Sequence, residues 1–139
     1  MSAALAYRPD GSQAALVFQI REGSYNTESL IAFLEDLHRH FGIEKITLIW
    51  DGLPAHRSRL MSAWIAAQRR WLTVERLPGY APDLNPAGQV WGNVKPAELA
   101  NLCADTTGQA HAAAQAGLNR VSSSSRLCFA FLAHTGLSL

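Results

Sequence analysis

A single acid stands at the end of a strand-forming run: Lys45–Trp50 reads KITLIW, and Asp51 follows it. Gly52, Leu53 and Pro54 come next. Gly and Pro cannot continue a hydrogen-bonded ladder, so the Asp51 carboxylate is expected at the carboxyl end of a central strand. Open α/β sheets bind their ligands at that end, although a lone strand-end Asp also serves as a turn or cap residue. His56 and Ser58 lie just beyond it, and from Gly52 to Val74 the chain carries Arg57, Arg59, Arg69 and Arg70 without one acid. A basic surface beside a strand-end acid suits phosphate. His56, Arg57 and Arg59, nearest Asp51, are the candidate contacts to a phosphate backbone. Arg69 and Arg70 fit a solvated helix face equally well.

A second stretch is denser in unusual residues. Leu77, Pro78, Tyr80, Pro82, Asp83, Leu84, Asn85 and Pro86 are followed by Trp91 and Lys95. Together with Asp51, His56 and Ser58, this ordered set resembles the DDE-superfamily endonuclease domain, the catalytic part of mariner-like insertion-sequence transposases. The resemblance implies a ribonuclease-H-like fold of class α/β, a mixed sheet with flanking helices, here with its leading strand missing. It also implies metal-dependent cleavage and transfer of DNA strands, with Mg²⁺ or Mn²⁺ as cofactor. Tyr80, Pro82, Asp83, Asn85, Pro86 and Trp91 would be structural parts of the motif, and Lys95 a further DNA contact.

Phosphodiester chemistry at two divalent ions needs oxygen ligands that activate the attacking hydroxyl and stabilise the leaving oxygen. In the family that this chain resembles, three acids supply them. Asp51 matches the second. The first would sit on a strand ahead of the opening hairpin, where only Asp10 is available, and Asp10 lies in the hairpin turn. The third should follow Asn85-Pro86 by two positions, where the chain reads Ala87-Gly88. Glu98 and Gln89 are poor substitutes: on an ideal helix they stand about 280° and about 100° from Gly88. One carboxylate binds Mg²⁺ weakly, so the chain on its own is expected to be catalytically inactive.

Composition fits these expectations without proving them. The 139 residues are 48% hydrophobic and 17% charged, enough for one domain with a core. No apolar run approaches the ~18 residues of a membrane span, and no secretory signal is visible, so a cytoplasmic location is expected. Cys103 and Cys128 lack CxxC spacing and read as reduced, packed thiols. Net charge is only +1, so the local distribution of arginines carries the argument for DNA.

The elements that must position these residues can be read in order. Ala3–Arg8 and Gln13–Ile20 flank Pro9-Asp10-Gly11-Ser12, a hairpin signal. Asn26 caps a predicted helix over Thr27–Phe41, which Gly42 ends, with His38 and His40 near its end as solvated or capping side chains. Ser58 caps a helix to about Arg70 with Leu60, Met61, Trp64 and Ile65 inward, and Trp71–Leu77 follows as a strand. Residues 78–86 form a rigid loop, and a helix runs from about Pro86 to Lys95, with a kink or fresh start at Pro96. Pro96–Leu102 forms a short piece, Thr107–Ser123 a helix weakened by Gly117, and Leu127–His134 an apolar segment after a four-serine break.

Three readings follow. The chain is a transposase catalytic domain incomplete at its N-terminus, acting on element ends and target duplex. Alternatively it is a non-catalytic DNA-binding or subunit-mixing module that pairs with an intact transposase or an upstream half-product. The third reading is an unrelated α/β domain that binds a small phosphorylated ligand at Asp51.

Overall fold

The computed structural model describes residues 1–21, 23–79, 81–99 and 107–139. Tyr80 and Cys103, and the 100–102 part of the expected short piece, lie outside the described residues. The class is α/β. The chain divides into two compact units, Glu22–Pro82 and a discontinuous one made of Met1–Arg21 with Asp83–Leu139.

In the discontinuous unit, β1 (Ser2–Tyr7) pairs antiparallel with β2 (Ala14–Gln19), Ser2 opposite Gln19 and Tyr7 opposite Ala14. Gly11, at φ +72°, supplies the left-handed residue of the turn, and Asp10 Oδ1 accepts from the Ser12 amide at 2.9 Å. The bonds to Ser12 hold the Asp10 carboxyl below its ordinary range. Asp10 is thus fully used by its turn, as the sequence indicates.

Among its described residues this unit also has α3 (Ala87–Val94), α4 (Thr107–Ser122) and α5 (Ser125–His134). Ala14 and Leu16 of β2 form one core with Val90, Val94, Leu118, Val121, Cys128 and Phe131. Ser124 caps α5 by accepting from the Leu127 amide, and the four-serine break is therefore a helix start. Where a kink or fresh start is expected at Pro96, α3 ends at Val94 and the chain continues in a π turn over Lys95–Leu99. Proline has no N–H for an i−4 carbonyl, and a wider turn absorbs that loss.

Gly117 does more than weaken α4. A Cβ there would lie 2.8 Å from both Val94 Cγ1 and Glu98 Oε2. The missing side chain lets α4 approach α3 and the π turn closely, and Arg120 then reaches Glu98 at 2.7 Å and Asn93 at 2.8 Å.

In the unit Glu22–Pro82, β3 (Ile46–Trp50) pairs parallel with β4 (Leu72–Arg76), Ile46 opposite Leu72 and Trp50 opposite Arg76. The expected mixture of parallel and antiparallel pairing is present, as two separate two-stranded sheets. A parallel pair needs a crossover, and α2 (Arg59–Ala67) supplies it. Helix α1 (Thr27–Phe41) starts at Asn26 and ends at Gly42, as its sequence predicts, and the structure adds a reciprocal capping box between Asn26 and Ser29. Its Phe33, Leu34 and Leu37 are buried, with Met61 of α2, Leu72 of β4 and Trp50.

Three expectations change here. Helix α2 stops at Ala67, because Gln68 turns the chain and its Oε1 accepts from Trp71 Nε1 at 2.9 Å. Arg69 and Arg70 therefore sit on a turn, and Leu60 is exposed. His38 is not solvated: its ring stacks on Trp71, with centroids 4.0 Å apart.

Candidate functional site

Asp51 leaves β3 at its carboxyl end, beside the buried Trp50. A 3-10 turn over Pro54–Arg57 then bends the chain back, with Pro54 in its first turn where the missing N–H costs nothing. This fold-back brings His56 onto Asp51. His56 Nδ1 lies 2.9 Å from Asp51 Oδ1 and 3.0 Å from the Asp51 carbonyl oxygen. Asp51 Oδ1 also accepts from the Leu53 amide at 3.2 Å. The imidazole lies flat against the Trp50 indole, centroids 4.1 Å apart and planes parallel.

Ser58 ends the turn and opens α2. Its Oγ accepts from the Met61 amide at 3.1 Å and lies 3.0 Å from Thr27 Oγ1 at the start of α1. A hydroxyl committed to two such bonds is a structural cap and not a nucleophile. Arg57 and Arg59, on either side of it, are exposed, and no ion pair engages either among the described residues.

The remaining motif residues fall on both sides of the division between the units, which passes between Pro82 and Asp83. Pro82 and Asp83 lie in a 3-10 turn, Pro82–Leu84. Asn85 Oδ1 accepts from the Ala87 amide at 3.0 Å, and Pro86 takes helical geometry directly before α3. Trp91 packs against the core of its unit. Lys95 is exposed at the start of the π turn.

Gly88 lies in the first turn of α3 with nothing within 4 Å of where its Cβ would be. A longer side chain has room there. Glu98 is committed elsewhere, with Oε1 and Oε2 accepting from Arg120 at 2.7 and 3.2 Å. Among the described residues no group of three His, Cys, Asp or Glu side chains comes together as a metal site. Among the described residues the donors do not fit a two-ion centre.

Sequence reasoning placed Asp51 and its neighbours on the right loop but missed the part played by Trp50. The signal available was an aromatic residue closing the strand immediately before the acid, with a histidine six positions on.

Among the described residues no helix is long and apolar enough to cross a membrane. A comparison with curated proteins found no match, and neither did one with solved structures. A family model does match, that of the DDE superfamily endonuclease, over residues 2–108. Members of this superfamily act on DNA and generally use divalent metals. With that match covering most of its length, and with Asp51 at the rim of an α/β unit, the chain belongs to the DDE superfamily of endonucleases.

Proposed function

We propose that this chain is a transposase domain of the mariner-like, insertion-sequence kind, and that by itself it does not cut DNA. The observation that carries the second half is Gly88: glycine occupies the position where the family motif calls for the third acid. Asp51 supplies one carboxylate, and two-ion chemistry needs a clamp on both the attacking and the leaving oxygen. Mg²⁺ or Mn²⁺ binding is accordingly weak. Residues 1–139 form one ribonuclease-H-like domain on this reading. The activity test is a nicking assay on supercoiled DNA with Mg²⁺ or Mn²⁺. Cleavage by this chain that disappears in Asp51→Asn would sink the proposal of inactivity.

A second reading is favoured by Arg57 and Arg59, which are exposed and have no ion-pair partner among the described residues. On this reading the domain is a non-catalytic DNA-binding or subunit-mixing module. It acts in the cytoplasm on element ends and target duplex, beside an intact transposase or an upstream half-product. Arg57, Arg59 and Lys95 are its phosphate contacts. Affinity for duplex DNA then rises steeply as salt falls, because each neutralised phosphate releases counterions. No binding at low salt removes this reading.

A further inference from the structure

The two oxygens of the Asp51 carboxylate are not equivalent. Oδ1 accepts from the Leu53 amide and from His56 Nδ1, whereas Oδ2 has no partner among the described residues. Both atoms that His56 Nδ1 touches, Oδ1 and the Asp51 carbonyl oxygen, are acceptors. Nδ1 must therefore carry the hydrogen, and a neutral His56 is the Nδ1–H tautomer. Trp50 closes one face of the ring, and the carbonyl contact sets its height along the loop. The His56 side chain is 12% exposed while the carboxylate it holds is 49% exposed. An inner, immobilised donor thus grips an outer acid.

We propose that His56 is a positioning residue for Asp51. Its Nδ1–H and the Leu53 amide fix Oδ1, which selects one side-chain rotamer and leaves Oδ2 as the oxygen for an outside partner. This rests on reading Asp51 as the acid of the site. Charge alone does not explain the arrangement, since Arg57 is the next residue and, among the described residues, forms no ion pair. The geometry asks for a directional donor on a short, flat side chain, which histidine provides when a tryptophan lies under it.

The test measures the Asp51 χ1 angle in the full chain, from three-bond couplings of Cγ to the backbone nitrogen and carbonyl carbon. The wild type is expected to show one rotamer and His56→Ala an average over several. His56→Asn, which keeps a donor one bond from Cγ, restores the single rotamer; His56→Gln, whose donor sits one bond farther out, does not. A merely structural role would lower stability in the Asn and Gln variants alike without separating their couplings. A single wild-type rotamer retained in His56→Ala overturns the proposal. Should that variant fail to fold, the same rotamer in His56→Gln overturns it instead. Duplex-DNA binding is measured alongside. Failure of the wild type to bind at low salt counts against the DNA reading, whereas the couplings alone decide the role of His56.

Discussion

The Tyr7 hydroxyl donates to the backbone carbonyl of Cys128 at 2.7 Å, joining the first strand to the last helix. Burial, and to a lesser extent the nearby Cys128 thiol, pushes the phenol well above its ordinary value. Tyr7→Phe should cost about 0.5–1.5 kcal/mol at neutral pH, the net value of one hydrogen bond. Thermal melts check this.

The same pair makes a prediction about pH. A phenol whose folded-state pKa is raised stabilises the protein fully below its unfolded value of about 10 and loses that contribution as pH climbs past it. Cys128, whose thiol burial also pushes up, acts with the same sign from a lower pH. Stability should therefore fall between pH 8 and pH 11, and less steeply in Tyr7→Phe, which keeps only the share of Cys128. Melting points of both proteins across that range are the check.

Gly117→Ala should destabilise although alanine is the better helix former. The helix-propensity gain is about 1 kcal/mol. A Cβ pressed against Val94, which is almost completely buried, forces the two helices apart or Val94 off its rotamer. Overpacking of that kind costs about 1–3 kcal/mol. It also displaces Glu98, so Arg120→Ala should be less damaging in the Gly117→Ala background than alone. Urea melts of the two single variants and the double variant measure that coupling.

Gly88→Glu should be neutral or stabilising. The position is open, a glycine in a helix costs about 0.5–1 kcal/mol relative to alanine, and an acid near a helix N-terminus is favoured by the dipole. Thermal melts with and without Mg²⁺ decide it. A clear loss of stability in both conditions would contradict the placement of Gly88 in open space.

Ser58→Ala removes the cap of α2 and the contact with Thr27 at once. A loss of about 0.5–2 kcal/mol is expected from the cap alone. Thr27→Ala leaves the Met61 amide capped and should cost less. Comparing the melting points of the two variants separates the contributions.

Local chemistry was the legible part of the fold. The hairpin around Gly11, the cap at Asn26 and the cap at Ser58 follow from side chains that bond their own neighbourhood, and all three are present. The end of α2 was not legible, because Gln68 stops it by reaching the Trp71 indole, a contact that no helix periodicity encodes. Gly117 read as a weak point because its reason lies on another helix. At the site, sequence order brought Asp51 and His56 to one loop, but the direction of the imidazole depended on the flat surface of Trp50. Of these, only Gly117 answers to partners far along the chain; at Gln68 and Trp50 the partner is near in sequence, but the contact depends on a turn that periodicity does not encode.

The π turn at Lys95–Leu99 has a consequence for anyone counting along this part of the chain. A wider turn inserts a phase slip, so a helical wheel drawn from Ala87 onward no longer gives the direction of residues past Pro96. Glu98 cannot be assigned to a stripe by adding equal angles from Gly88. Grafting this segment into another protein, or repairing it residue by residue, therefore requires carrying the irregular turn along with it.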